Sequence, residues 1–286
     1  MIELDYNQKI QSLKDASSQV FIKTNENTEI SFRQWGEVGP ILVMLHGGYG
    51  SWMHWLNNIY ELSKKFRIVV PDMPGFGESE LLPYLPTLDQ YAQILVDALD
   101  ELLPDEQYNI VGFSFGSAIG SHMMKFDREK VLRLTLVGYN RTGNMPFKRP
   151  KMKSWRDVNS KEELFEAQRF NLSVMMLHKD EKIDDLAITV QTLNTRGGKV
   201  RSLDIVATHD LPARLLGVDK PIDIIWGEFD VTLINGIDNA KDRMKELIPE
   251  INCHVIDNTG HWVQFEEPEE FNKIIFDIYN SQYLKK

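Results

Sequence analysis

Gly112-Phe113-Ser114-Phe115-Gly116 sets a hydroxyl in an apolar stretch, with a glycine two positions away on either side. This is G-x-S-x-G, and it falls where a strand-like run gives way to a helix-like one, the context a nucleophile elbow requires. In so sharp a turn, bulky residues two positions either side of the serine would meet neighbouring backbone. Glycine relieves that and leaves the hydroxyl exposed above the strand ends. A serine nucleophile needs a base, and the base needs an orienting carboxylate. His261, in "NTGHWVQFEEP", and Asp230, in "IIWGEFD", each follow a strand-like run, and the order Ser114, Asp230, His261 is the one such elbows use. Glu228 is the nearest rival acid, while Gly138 to Lys153 contains neither Asp nor Glu. Developing negative charge on a carbonyl oxygen needs two backbone N–H groups. Phe115, after the serine, is the first, and Gly48 in "LHGGYGSW" is chosen as the second, with Tyr49 as its neighbouring alternative. The chemistry would be attack on a carbonyl.

Eight apolar runs can position these groups: 20–23, 29–35, 40–47, 66–72, 108–113, 131–138, 221–227 and 251–257. Several are continuous in Ile, Val and Leu, the mark of strands buried on both faces. A helical stretch at 87–103, with Thr87 as N-cap three residues before Gln90, separates two of them. Strand–helix alternation of this kind predicts a mostly parallel central sheet flanked by helices, an α/β class fold. The alternation breaks from 139 to 220, where "SKEELFEAQRFNLSVMML" and "EKIDDLAITVQTLN" have helical spacing. The expected organisation is a core of 1–138 and 221–286, with a helical cap or lid of 139–220 inserted between strands 6 and 7.

The 286 residues carry a net charge of −10, which argues against a nucleic-acid partner. No apolar run reaches the roughly 20 residues that span a bilayer. The first twenty residues have no basic segment leading an apolar one, so neither a secretory leader nor a membrane partner is expected. A single cysteine, Cys253, leaves no internal disulfide or cysteine metal cluster and points to a reducing, cytoplasmic setting. His46, His54, His122, His178, His209 and His254 show no metal-ligand spacing, so no metal is expected and structural or solvent-exposed roles are anticipated. The acidic run at 266–270 reads as a helix start.

Taken together, "HGG", "DMPGFGES" (72–79), "GFSFG", "WGEFD" and "GHWVQFEEP" resemble the α/β-hydrolase fold superfamily over nearly the whole chain outside the cap. That resemblance implies a Ser–His–Asp triad beneath a variable cap, with no cofactor. Within the superfamily the motifs are most similar to meta-cleavage-product hydrolases, enol-lactonases and carboxylesterases. The elbow differs from the G-N-S-x-G-G of the first group. A serine at 114 argues against the haloalkane dehalogenases and most epoxide hydrolases of this fold, which use an aspartate nucleophile. The expectation is ester or lactone cleavage through an acyl-enzyme. Carbon–carbon hydrolysis of a dienoate ketone is the alternative, and a hydrolase-fold ligand receptor the competitor from another class.

Trp52, Trp55 and Trp262 flank the motif loops and either line the substrate pocket, for which Trp52 and Trp262 are the candidates, or pack in the core. The cap holds 15 Lys/Arg against 11 Asp/Glu, a balance of +4 beside −14 for the remainder, with Arg141, Lys148, Arg149, Lys151, Lys153 and Arg156 early in it. This excess reads either as a solvated, basic lid surface or as the mark of one or two cap arginines, with Arg169 and Arg196 as further candidates, that face the pocket and pair with an anionic small-molecule substrate. A second copy of the chain, as a homodimer, is the one macromolecular partner left open.

Overall fold

In the computed structural model, residues 8–139, 150–206, 215–233 and 235–283 are described. A short helix α1 (Gln8–Asp15) leads into β1 (Ser18–Lys23) and β2 (Glu29–Trp35), followed by β3 (Ile41–Leu45), α2 (Ile59–Leu62) and β4 (Arg67–Pro71). Then come α3 (Leu88–Leu102), β5 (Tyr108–Phe113), α4 (Phe115–Phe126) and β6 (Val131–Val137). After β6 lie α5 (Lys161–Met175), α6 (Asp185–Gly197) and α7 (Ser202–Val206). The chain closes with β7 (Ile222–Gly227), α8 (Gly236–Leu247), β8 (Asn252–Ile256), α9 (Val263–Glu266) and α10 (Pro268–Tyr283).

The strands form one eight-stranded sheet in the order β1-β2-β4-β3-β5-β6-β7-β8. Only the β1–β2 and β2–β4 pairs are antiparallel; from β4 to β8 every pairing is parallel. This is the mostly parallel sheet that the alternation predicts, and it agrees with the fold that the motif resemblance implies. Seven of the eight apolar runs contain a whole strand, and the first, 20–23, lies within β1, which starts two residues earlier. They are continuous because both faces are covered. Ile41, Val43 and Leu45 of β3 join the cluster containing α3 and α4 residues, whereas Leu42 and Met44 join the one holding Trp55, Phe271 and Tyr279.

Helix ends follow local chemistry. Thr87 caps α3: its hydroxyl accepts the Gln90 N–H at 3.2 Å while the Gln90 side chain accepts the Thr87 N–H at 2.9 Å. Ser160 and Asp184 do the same for α5 and α6, accepting Glu163 N–H at 3.1 Å and Ala187 N–H at 2.8 Å. Both helices therefore start where a side-chain oxygen can take an otherwise unpaired N–H.

Parallel register brings the strand ends to one edge. Leu45 pairs with Gly112, Phe113 with Val137 and Gly227 with Ile256. The loops that follow β3, β5, β7 and β8 consequently emerge side by side at the carboxyl edge, where sheets of this kind gather their sites. The segment between β6 and β7 packs over this edge through α6: the Ser51 hydroxyl donates to Asn194 Oδ1 at 2.6 Å. Arg141, Lys148, Arg149 and His209 lie outside the described residues. Among the described residues, no helix is long and apolar enough to cross a membrane.

Candidate active site

Ser114 sits between β5 and α4 at φ +50° and ψ −106°, a backbone conformation that L-residues seldom adopt. The flanking glycines make the turn feasible. A Cβ on Gly112 would run into the Gly116 carbonyl, and one on Gly116 into the Leu45 carbonyl. Beneath the turn, the Ser117 hydroxyl accepts the Val137 N–H at 3.1 Å, fastening α4 to β6.

His261 and Asp230 reach this serine from the loops after β8 and β7. His261 Nε2 lies 3.0 Å from Ser114 Oγ, and Nδ1 lies 2.8 Å and 3.0 Å from the two Asp230 oxygens. With Nδ1 facing a carboxylate, the ring proton sits there, leaving the Nε2 lone pair for the serine hydroxyl. Ser114 keeps some exposure while His261 and Asp230 are buried. Burial pushes the Asp230 pKa up, but His261 and the N–H and hydroxyl of Thr232, at 2.9 Å and 2.6 Å, more than offset it and hold it below the ordinary carboxylate value. Glu228 is exposed and accepts the Asn258 N–H at 2.8 Å instead. Gly138, at φ +58°, leaves room for the imidazole, since a Cβ there would lie 2.9 Å from His261 Cε1.

Gly48 lies against the residue after the serine: a Cβ added to it would be 3.9 Å from the Phe115 Cβ and 3.1 Å from the Ser202 Cβ of α7. The two backbone stretches chosen for an oxyanion hole thus converge beside Ser114. The loop carrying Gly48 is braced by buried Asp72, which accepts the Trp52 N–H at 2.8 Å and the Glu78 N–H at 2.9 Å. Burial pushes the Asp72 pKa up to about 6 in spite of those bonds.

The remaining sequence candidates are placed differently. Trp52 is buried against Trp35, ring centroids 5.6 Å apart, with the Arg33 guanidinium 5.8 Å from its ring. Trp262 is fully buried, stacked on Phe265 at 4.1 Å, and donates its indole N–H to the His54 carbonyl at 3.1 Å. Arg169 and Arg196 are exposed on α5 and α6. Two supports escaped the motif reading. Thr232 is one. Glu266 is the other: it accepts N–H groups from Gly260 at 2.7 Å, His178 at 2.8 Å and Lys179 at 2.6 Å. The acidic run is therefore split, with Glu266 anchoring the His261 loop and Glu269 and Glu270 opening α10. Its signal in sequence was only an acidic residue five positions after a candidate catalytic histidine.

A sequence profile of the family described as alpha/beta hydrolase fold matches residues 40–268. The chain belongs to this α/β-hydrolase family. A 2-hydroxy-6-oxononadienedioate/2-hydroxy-6-oxononatrienedioate hydrolase of Pseudomonas putida is 24% identical to it, with 93% of this chain and 98% of that protein covered. Among solved structures, naproxen esterase (carboxylesterase NP) of Bacillus subtilis superposes with a TM-score of 0.77 at 21% identity, over 97% of this chain and 99% of that one. A meta-cleavage product hydrolase from Pseudomonas fluorescens gives 0.71 at 21%, over 92% and 98%. The protein is a hydrolase of this family, similar to enzymes that act on small molecules. Among its described residues, no cluster of His, Cys, Asp or Glu could hold a metal ion.

Proposed function

We propose that this hydrolase cleaves an ester or lactone of a small, partly apolar substrate through an acyl-enzyme on Ser114. The observation that carries the reading is the unbroken hydrogen-bond chain from Asp230 through His261 to Ser114 Oγ, at 2.8 Å and 3.0 Å, on an elbow with φ +50°. In this reading His261 Nε2 takes the hydroxyl proton as Ser114 Oγ attacks the carbonyl carbon. Asp230 keeps the proton on Nδ1 and stabilises the imidazolium. The N–H groups of Phe115 and Gly48 hold the developing oxyanion. Collapse expels the alcohol, protonated by His261, and a water activated by the same ring releases the acid. The chemistry needs no cofactor. The lone, half-buried Cys253 is in keeping with a cytoplasmic setting for this activity.

The Pseudomonas putida relative favours a second reading, hydrolysis of a carbon–carbon bond in a dienoate ketone. There the same histidine would first assist ketonisation of the dienol. An anionic substrate receives no support from Arg169 and Arg196, because exposed ion pairs are worth about 0–1 kcal/mol.

Two substrates and one variant separate the readings. p-Nitrophenyl butyrate is expected to turn over many times and a fluorophosphonate probe to label Ser114. The Ser114→Ala variant is expected to keep its fold and lose kcat on the order of 10⁴-fold or more. Turnover of a 2-hydroxy-6-oxo dienoate far above that of any ester would transfer the assignment to carbon–carbon cleavage. Retained turnover in Ser114→Ala would remove both readings, and stoichiometric labelling without turnover would indicate a receptor.

A further inference from the structure

Gly47 is gripped by two buried histidines, one on each of its backbone polar groups. His46, at the end of β3, accepts the Met73 N–H on Nε2 at 2.9 Å. Its proton is therefore on Nδ1, which donates to the Gly47 carbonyl at 2.8 Å. That carbonyl shares its peptide plane with the Gly48 N–H. In a trans peptide the two groups point in opposite directions from one rigid plane, and the described chain has no cis bond. Anchoring the carbonyl on His46 therefore aims the Gly48 N–H away from His46.

His54 fixes the plane before it. Its Nδ1 accepts the Gly47 N–H at 3.1 Å, so the ring carries its proton on Nε2. The ring is wedged edge-on between Phe113 and Trp262, with centroids 5.4 Å and 5.1 Å away. The Trp262 indole holds the His54 carbonyl. Burial lowers the His46 pKa to about 4 and, reinforced by His46 and His261, holds the His54 pKa well below the usual histidine value. Both rings are neutral near pH 7, so the pattern of one donor and two acceptors persists there. Gly47 itself has no space for a side chain, because a Cβ would lie 2.8 Å from the Phe113 ring.

We propose that His46 and His54 are positioning residues for the oxyanion hole. They lock the two peptide planes around Gly47, so that the Gly48 N–H stays aimed at the oxygen of a carbonyl under attack by Ser114. The proposal rests on the acyl-transfer reading above. It gives the two histidines a role in the rate of the reaction that involves no proton transfer and no contact with substrate.

The discriminating experiment compares three substitutions at one position. His54→Asn puts an amide oxygen at the δ position, near where Nδ1 accepts; His54→Gln puts it one methylene further out; His54→Leu has no acceptor. Removing a whole oxyanion donor costs about 10²–10³ in kcat, so loosening one is expected to cost on the order of 10- to 100-fold in His54→Leu and His54→Gln. KM for p-nitrophenyl butyrate should stay within about twofold, because the hole binds the transition state rather than the ester. The inhibition constant of an alkyl trifluoromethyl ketone, whose hemiketal oxyanion occupies the hole, should rise in step with the fall in kcat/KM. His54→Asn should recover kcat to within about fivefold of wild type. The proposal is overturned if His54→Asn falls as far as His54→Leu, if His54→Gln keeps its kcat, or if kcat falls while ketone affinity does not. Should His54→Leu fail to fold, the Asn and Gln pair decides alone. Ser114→Ala run alongside keeps the two failures apart: turnover by that variant defeats the acyl-transfer reading, whereas the His54 series in an enzyme that labels at Ser114 tests only the positioning.

Discussion

Asp230 and Glu228 stand two positions apart in the loop after β7, yet only Asp230 meets the imidazole. Its oxygens lie 2.8 Å and 3.0 Å from His261 Nδ1, while Glu228 turns outward to the Asn258 N–H. Replacing the acid by its amide while keeping its shape would put opposite Nδ1 either an N–H₂, which favours the wrong tautomer, or a neutral oxygen, which no longer stabilises the imidazolium. Asp230→Asn is expected to lower kcat by about 10³–10⁴-fold with KM little changed, as loss of the orienting carboxylate does in such triads. Glu228→Gln should keep at least about half of wild-type kcat, since an exposed carboxylate there orients no reacting group. Steady-state kinetics on one ester checks both, and the opposite ranking would move the acid to 228.

Elements meet at the loop that carries His261. Glu266 closes α9 and accepts three backbone N–H groups, one from Gly260 beside the histidine and two from His178 and Lys179 after α5. Burial raises its pKa despite these bonds. A glutamine offers one oxygen where the carboxylate offers two, so in Glu266→Gln an amide N–H₂ must face a backbone N–H. Leaving a buried donor unpaired costs about 1–3 kcal/mol, and a loss of stability in that range is expected for Glu266→Gln by denaturant titration. Because Gly260 precedes His261, kcat should fall as well. Unchanged stability and unchanged kcat would mean that the three bonds hold nothing in place.

Across the whole molecule, the segment between β6 and β7 is joined to the core at several separate points. Asn194 takes the Ser51 hydroxyl, the Lys199 N–H donates to the Gly75 carbonyl at 2.8 Å, its ammonium reaches the Ser79 carbonyl at 2.9 Å, and Glu266 holds the chain after α5. Apolar residues Leu172, Ile183 and Ile188 of this segment belong to the same buried cluster as Trp55, Phe113 and Trp262. Tryptophans of the core therefore sense the same packing that the inserted helices complete. Loss of esterase activity and loss of tryptophan fluorescence are expected to coincide along a urea titration, the behaviour of a single cooperative unit. Activity lost well before fluorescence would reveal the insertion as a separately unfolding body.

Local chemistry was enough to expose the sheet and to single out three residues that the fold joins by hydrogen bonds. Strands covered on both faces must be apolar at successive positions, so Ile41–Leu45 and Ile222–Gly227 announce themselves in sequence. Ser114 is legible because its turn demands glycines at fixed offsets, and Asp230 and His261 because parallel strands deliver their following loops to one edge. Thr87 and its partner Gln90 lie three residues apart, which makes that cap equally local. What the chain order could not supply was the choice of partners across distance. Glu266 finds His178 from 88 residues away, and the Trp262 indole finds the His54 carbonyl from 208. Such pairings depend on where loops from different strands come to rest, which no spacing encodes. The same reason turned Trp52 and Trp262 into buried packing, left Arg169 and Arg196 exposed, and brought His46 and His54 onto the two sides of one glycine. Residue types fixed which chemistry was available; only the tertiary packing decided which groups hold it in register.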